Sequence, residues 1–126
     1  EAARLLGATV GEVEADRPGA VRALQDRYGG VVILKGAGTL VCDGEGPLSL
    51  CDRGNPGMAT AGMGDVLTGI VAGLAVQSGR LAEAAAFGVL VHALAGDRAA
   101  ADAERGLMAR DLIGMLRSVV NPAAGD

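Results

Sequence analysis

A glycine-rich stretch runs directly into an apolar, helix-like segment at residues 54–73, GNPGMATAGMGDVLTGIVAG. Six of these residues are glycine, and glycine inside a helix costs about 1 kcal/mol relative to alanine, so this density needs a structural reason. Beyond Gly64, apolar residues recur at helical spacing at Val66, Ile70 and Leu74. The glycines are therefore predicted to lie at a helix N-terminus, where free backbone N–H groups and the helix dipole form a site for an anion such as a polyphosphate.

Two familiar phosphate-binding motifs do not account for this stretch. A P-loop requires a lysine after its last glycine, and none follows here. A dinucleotide fingerprint of the form G-x-G-x-x-G would start at Gly62 and Gly64 but has Leu67 at its third position. Gly69 and Gly73 lie four residues apart and are predicted to let the helix pack closely on a neighbouring helix.

Asp65 follows the last glycine of the loop and is the most informative charge in the chain. One interpretation is structural, because an acidic residue at a helix N-terminus caps the helix and balances its dipole. The other interpretation is catalytic. A carboxylate beside N–H groups that hold a phosphate can face the second reactant, and can take a proton from a hydroxyl group as that group attacks the phosphate. The residue by itself leaves both interpretations open.

The other segments predict one layered α/β domain. Residues 31–35, VVILK, are a continuous apolar, β-branched run between glycines, which predicts a short strand that is buried on both faces and ends at Lys35. Residues 39–52 predict a β-hairpin with its turn at residues 43–46. Strands that need helices on both faces, followed by a run of helices, are typical of an α/β sandwich.

Capping residues, proline and glycine predict where the helices begin and end. EAARLLG, residues 1–7, resembles the end of a helix closed by Gly7. Asp16 is the predicted N-cap of a second helix, with Pro18 in its first turn and Gly29 and Gly30 at its end. Three further helices are predicted at about residues 65–77, 81–103 and 109–120, with a solvated helix end at residues 97–106.

Composition argues against several function classes. The net charge is −4 without a basic cluster, and only Tyr28 and Phe87 are aromatic, which argues against binding to nucleic acid or anionic membranes. No apolar run reaches the roughly 18 residues of a membrane span. Cys42 and Cys51 match no metal spacing and are predicted to be reduced thiols. His92 has no second ligand nearby and is predicted to be a packed helix residue.

Three segments together resemble one known family. They are GNPGMATAGMGDVLTGIVAG at residues 54–73, VVILKGAGTLV at residues 31–41 and ERGLMARDLI at residues 104–113. With these segments the chain resembles the ADP- or ATP-dependent NAD(P)H-hydrate dehydratases, whose ribokinase-like fold is a three-layer αβα sandwich. The resemblance covers nearly the whole chain, and it implies that residues 1–126 are the C-terminal, nucleotide-binding part of one such domain.

The resemblance implies repair of a damaged nicotinamide nucleotide. In this family the terminal phosphoryl group of a nucleotide is transferred to the hydroxyl of (S)-NAD(P)H hydrate, and elimination of the phosphate restores the dihydronicotinamide ring. ADP or ATP is the implied cosubstrate, and bacterial members typically use ADP and release AMP. Mg²⁺ is expected with the nucleotide, because clustered phosphates usually bind it.

The family's site residues match three places in this sequence. Asp65 matches the aspartate that serves catalysis and contacts the substrate. Met58 and Met63 could contact the adenine or fill gaps in the fold. Ala61 precedes Gly62 where many relatives have a second glycine, a difference of one methyl group. The implied nucleotide-binding residues are Lys35, Gly36, Ala37, Gly38 and Thr39 in one segment, and Asn55, Pro56, Gly57, Met58, Ala59, Thr60, Ala61, Gly62, Met63 and Gly64 in another.

The resemblance also carries expectations about what surrounds this chain. In the family, a His-Pro-Gly segment and an upstream half, which supplies strands and much of the hydrate site, precede the part that resembles residues 1–7. We therefore expect exposed sheet edges and apolar surface at the places where, in the family, this upstream half packs. The family further implies a cytoplasmic homo-oligomer and an NAD(P)H-hydrate epimerase, either fused or separate.

Two other function classes stay open at the level of the sequence. A glycine-rich turn followed by aspartate also serves ribokinase-type kinases of vitamin or sugar hydroxyls, although the longer NPGMAT segment argues against them. The chain could instead bind a nucleotide without catalysis. A stable phosphorylated product would indicate the kinase. Nucleotide binding without turnover, unchanged by Asp65→Asn, would indicate the binding fragment.

Overall fold

The computed structural model describes residues 1–121 and divides the chain into two compact units. The first unit is Glu1–Asp52, and the second begins at Arg53. Helices and strands both occur in the first unit. The described part of the second unit consists of helices, one 3₁₀ turn and their connections.

Three short helices open the first unit: α1, Ala2–Leu6; α2, Val10–Ala15; and α3, Arg17–Tyr28. Gly7 ends α1 in the left-handed conformation with φ 67°, which glycine adopts without strain. The Asp16 carboxylate caps α3 by accepting a hydrogen bond of 2.9 Å from the backbone N–H three residues later. The predicted ends of these two helices are therefore confirmed.

Helix α2 was not predicted, and a capping box holds its start. The Thr9 hydroxyl accepts a hydrogen bond of 3.2 Å from the Glu12 backbone N–H, and the Glu12 carboxylate accepts one of 2.7 Å from the Thr9 N–H. Hydrogen bonds from the Thr9 backbone, and secondly from its side chain, hold the pKa of Glu12 below its ordinary value. The T-x-x-E spacing was the available signal, because six residues are too few for a hydrophobic period.

A three-stranded antiparallel sheet completes the first unit. Strands β1, Val32–Leu34, β2, Thr39–Cys42, and β3, Ser49–Cys51, are hydrogen-bonded in that order. Leu34 lies opposite Leu40, and Leu40 lies opposite Leu50. The predicted hairpin is confirmed as the β2–β3 pair.

Strand β1 is less buried than the sequence predicts. Leu34 is buried, but Val32 and Ile33 are only half-buried. The reason is its place in the described sheet, where β1 is an edge strand with a neighbour on one side. One buried cluster in the core of this unit is formed by Ala3, Val13, Ala20, Val21, Leu34, Leu40 and Cys42.

The described part of the second unit is built from α4, Met63–Ser78, α5, Leu81–Ala99, and α6, Ala109–Val120. All three predicted helices are confirmed, although α5 ends at residue 99 rather than 103. Helix α5 packs against both α4 and α6. One buried cluster joins the three helices and contains Met63, Ala95, Leu107 and Leu112.

Close packing of α4 on α5 depends on Gly88, which corrects the prediction for Gly69 and Gly73. A Cβ atom at Gly88 would lie 2.7 Å from Val71 Cγ2, so α5 needs a glycine where it crosses α4. Gly69 and Gly73 are exposed, and no described atom lies within 4 Å of a Cβ built at either residue. A step of two residues turns a helix by about 200°, so these glycines lie on the face of α4 opposite Val71.

Three other features of the described residues are helix hydrophobicity, the state of the cysteines and the exposed apolar side chains. Within residues 1–121, no helix combines the length and apolar character that crossing a bilayer requires. Cys42 and Cys51 are free thiols, as predicted. The expected apolar surface is present at Leu50 in the first unit and at Val76 and Phe87 in the second, each at least half exposed.

Candidate functional site

The glycine-rich loop leads into the N-terminus of α4, as predicted. Gly62 is the N-cap residue, and its φ of 85° is a left-handed value that favours glycine. Because Gly62 has no side chain to cap the helix, it leaves first-turn N–H groups of α4 for another partner. A 3₁₀ turn, Pro56–Met58, lies earlier in the loop. This junction has the backbone geometry of an anion site.

Asp65 is the third residue of α4, and it is exposed. It does not cap the helix, since the cap position is Gly62, but its charge lies in the first turn, where the helix dipole favours it. Among residues 1–121, no group forms a hydrogen bond or ion pair with its carboxylate. The carboxylate is therefore available to a ligand at the end of the loop.

Asp97 on α5 anchors the beginning of the loop. Its Oδ2 atom accepts a hydrogen bond of 3.0 Å from the Gly54 backbone N–H, and its Oδ1 atom accepts one of 3.0 Å from Asn55 Nδ2. The prediction of a solvated helix end at residues 97–106 therefore holds for most of the segment, but Asp97 itself is half-buried and hydrogen-bonded. Helix α5 continues to Ala99, so Asp97 lies in its last regular turn, where it reaches residues 42 and 43 positions earlier in the chain.

His92, five residues earlier on α5, contacts the other end of the loop. The ring is buried, and Nε2 lies 2.9 Å from the Met63 carbonyl oxygen. Because a carbonyl only accepts hydrogen bonds, Nε2 carries the proton in this contact. His92 is thus a packed helix residue, as predicted, and it ties the first residue of α4 to α5.

The two methionines of the loop fill space inside the second unit. The Met58 side chain occupies the position that a Cβ atom on Gly96 would need, and its sulfur lies 3.4 Å from a Cβ built at Gly54. Met63 is buried in the cluster beneath α4. Gap-filling is therefore confirmed for both side chains, and any ligand contact of Met63 would come from its backbone.

Gly57 lies where the loop passes close to the segment after α5. A Cβ atom there would lie 2.5 Å from the Glu104 carbonyl oxygen and 3.0 Å from Asn55 Oδ1, so a larger residue would displace backbone. The Asn55 Oδ1 atom is buried without a hydrogen-bond partner among the described residues. The remaining loop residues are exposed or half-buried: Pro56, Ala59, Thr60, Ala61, Gly62 and Gly64.

The other predicted segment, Lys35, Gly36, Ala37, Gly38 and Thr39, lies in the first unit, where it joins β1 to β2. Lys35, Gly36 and Ala37 are exposed. Gly36 and Gly38 have φ values of 151° and 73°, and the Thr39 hydroxyl donates a hydrogen bond of 3.2 Å to the Gly36 carbonyl. An exposed lysine and a hydroxyl group in a glycine-rich turn suit contacts to phosphate or ribose.

Arg17 was not among the predicted site residues, yet its guanidinium contacts three backbone carbonyls in and beside this turn. Like Asp97, it belongs to a helix and supports a loop distant in the sequence. The sequence contains no periodicity or motif that would pair Arg17 or Asp97 with the loop that it contacts.

No group of three or more His, Cys, Asp or Glu side chains in the described part of the chain could hold a metal ion. The described residues therefore do not form a metal centre of their own.

A family model for NAD(P)H-hydrate dehydratases matches residues 1–117. The chain belongs to this family. The bifunctional NAD(P)H-hydrate repair enzyme Nnr of Vibrio cholerae is 57% identical over 122 residues, which are 96% of this chain and 24% of that protein. The chain thus spans about a quarter of the length of this curated relative.

Solved structures place the dehydratase family in a known fold class. The ADP/ATP-dependent NAD(P)H-hydrate dehydratase of Bacillus subtilis, co-crystallized with ATP and Mg²⁺, matches with a TM-score of 0.88 at 25% identity, covering 94% of this chain and 43% of that chain. A ribokinase-like superfamily protein of Enterococcus faecalis matches with a TM-score of 0.68 at 30% identity, covering 81% and 36%. The predicted family and its ribokinase-like α/β fold are therefore confirmed.

Proposed function

We propose that this protein dehydrates the S form of NAD(P)H hydrate to NAD(P)H and consumes ADP or ATP in the reaction. The hydroxyl oxygen of the hydrate attacks the terminal phosphorus, which breaks the bond to the nucleotide and releases AMP or ADP. The carbon–oxygen bond of the phosphorylated hydrate then breaks, phosphate leaves with the bonding electron pair, and loss of a proton from the neighbouring ring carbon to water restores the ring double bond. Membership of the dehydratase family supports this proposal.

The observation that carries the proposal is the arrangement at the start of α4. Helix α4 begins after Gly62, which has no side chain to cap it. The exposed carboxylate of Asp65 lies three residues after Gly62. First-turn N–H groups would hold the transferring phosphoryl group. Asp65 would take the proton from the hydrate hydroxyl as it attacks, because its carboxylate lies in the first turn of α4 and has no described partner of its own.

A nucleotide-binding role is proposed for each glycine-rich segment separately. Lys35 and Thr39 would contact phosphate or ribose, and the loop of residues 55–64 would follow the phosphates with its backbone. Mg²⁺ would enter with the nucleotide and reduce the negative charge of the phosphates. The Bacillus subtilis dehydratase was co-crystallized with ATP and Mg²⁺, which supports the use of a nucleotide with Mg²⁺.

The cellular setting is part of the same proposal. Residues 1–126 would be part of one dehydratase domain in a cytoplasmic homo-oligomer, and free thiols at Cys42 and Cys51 are consistent with a reducing compartment. An NAD(P)H-hydrate epimerase, fused or separate, would supply the S form. The bifunctional Vibrio cholerae relative supports a second activity in that protein.

Product analysis tests the proposal. The protein is incubated with hydrated NADH, ADP or ATP and Mg²⁺, and the released nucleotide, free phosphate and restored NADH are quantified. The proposal predicts that all three products form in equal amounts. A stable phosphorylated product without free phosphate would indicate a kinase, and nucleotide binding without any product would indicate a binding protein; either result would overturn the proposal.

A further inference from the structure

Arg17, the first residue of α3, directs its guanidinium group at the backbone of the β1–β2 turn. Nη2 donates hydrogen bonds to three carbonyl oxygens, those of Leu34 at 3.3 Å, Lys35 at 3.4 Å and Gly38 at 3.1 Å. Nη1 donates to the Lys35 carbonyl at 3.5 Å and to Glu14 at 3.3 Å. The Arg17 side chain is only 15% exposed, so this is a largely buried charge that the turn itself solvates.

These contacts orient the peptide groups of the turn. In a trans peptide the carbonyl and the N–H point in opposite directions. When the Lys35 carbonyl points towards Arg17, the Gly36 N–H points away from it, towards the opposite side of the turn. The Gly36 N–H is therefore a donor to which an anion could bind on that side. The carbonyl oxygens, which would repel an anion, instead accept hydrogen bonds from the guanidinium group.

The β1–β2 turn lies directly against the guanidinium group of Arg17. A Cβ atom at Gly36 would lie 2.6 Å from Arg17 Nη1, and the φ of Gly36 is 151°. Glycine is therefore needed here for two reasons, the conformation and the close approach.

We propose that Arg17 is a positioning residue for the nucleotide phosphates. It does not touch the nucleotide; it holds residues 35–38 so that their N–H groups and the Lys35 side chain face a bound phosphate. This inference rests on the proposed nucleotide site at residues 35–39. It assigns a role to a side chain on another element of the fold.

Arg17→Lys tests the inference, because lysine keeps the charge but has one nitrogen in place of the planar fork, so it loses the separate Nη1 contacts to the Lys35 carbonyl and Glu14. We expect the dissociation constant for ADP and the KM for ADP to rise about tenfold, with kcat nearly unchanged. Arg22→Lys on the same helix is the matched control, since Arg22 is exposed, and it should bind ADP like the wild-type protein. Arg17→Gln, which removes the charge as well, should weaken binding further.

Binding is measured directly by calorimetry with ADP, below the melting temperature of each variant, so that loss of stability is separated from loss of affinity. If Arg17→Lys and Arg17→Gln lower the melting temperature but bind ADP like the wild-type protein, Arg17 supports only the fold and the inference is overturned. If the wild-type protein binds ADP but does not dehydrate the hydrate, the proposed function fails. In that case weaker ADP binding by the variants still supports the role of Arg17.

Discussion

Replacing Asp97 by asparagine tests whether α5 controls the order of the glycine-rich loop. The carboxylate accepts one hydrogen bond at each oxygen, from the Gly54 N–H and from the Asn55 amide. Asparagine has the same shape but only one oxygen, so its amide nitrogen must face one of the two donors. The substitution therefore removes at least one hydrogen bond to a charged acceptor and weakens the other, without creating a cavity.

The expected magnitude follows from these contacts. A hydrogen bond to a charged group contributes about 1.5–3 kcal/mol, and the exposed Gly54 contact favours the lower end of that range. If nucleotide binding requires the loop in its described conformation, this loss transfers to the affinity. Since about 1.4 kcal/mol corresponds to a factor of ten, the dissociation constant for ADP should rise about tenfold.

Calorimetric titration with ADP measures this effect in wild-type protein, Asp97→Asn and the control Asp102→Asn. Asp102 follows α5, is exposed and makes no hydrogen bond among the described residues, so its variant should bind ADP normally. An unchanged dissociation constant in Asp97→Asn would refute the reasoning, because the loop would then bind its ligand without the anchor.

Three further predictions concern stability. Gly69→Ala should raise the free energy of unfolding by about 1 kcal/mol, because this exposed helical glycine has open space for a methyl group. Gly88→Ala should lower the free energy of unfolding by about 1–2 kcal/mol, because the clash with Val71 exceeds the gain in helix propensity. Equal urea midpoints for Gly69→Ala and Gly88→Ala would contradict the packing argument. Glu12, whose pKa is lowered in the folded state by hydrogen bonds from Thr9, should stabilise the fold above its unfolded pKa and lose that effect as the pH falls through the folded value. Urea unfolding of wild-type protein and Glu12→Gln should therefore differ at neutral pH and converge in acid, and a gap that persists in acid would contradict the assignment.

Local signals predicted most of the elements of this fold. Gly7 and Asp16 fixed helix ends from the chemistry of one or two residues, and the β2–β3 hairpin followed from its turn. Helix α2 was missed because it is only six residues long and its single signal is the capping box. Burial of β1 was overestimated because strand order, which makes it an edge strand, is not encoded in the strand itself.

The supports of the candidate site could not be predicted in the same way. Asp97 and Gly54 are 43 residues apart, and Arg17 and Gly38 are 21 residues apart, so only the tertiary structure pairs them. Both charges also look like ordinary helix-surface residues in the sequence. The glycine loop and Asp65, in contrast, could be proposed as site residues from the sequence because their chemistry is contained in one continuous segment.

The central claim is that Asp65 is the base in a nucleotide-dependent dehydration. Recovery of absorbance at the NADH band tests it, with hydrated NADH as substrate, ADP or ATP with Mg²⁺, and Asp65→Asn beside Asp102→Asn as the matched control. We predict nucleotide-dependent recovery in the wild-type protein and the control, and a loss of about 100-fold or more in Asp65→Asn, the low end for removal of a general base. Recovery at the wild-type rate in Asp65→Asn, or no recovery in a wild-type protein that binds ADP, would contradict the claim.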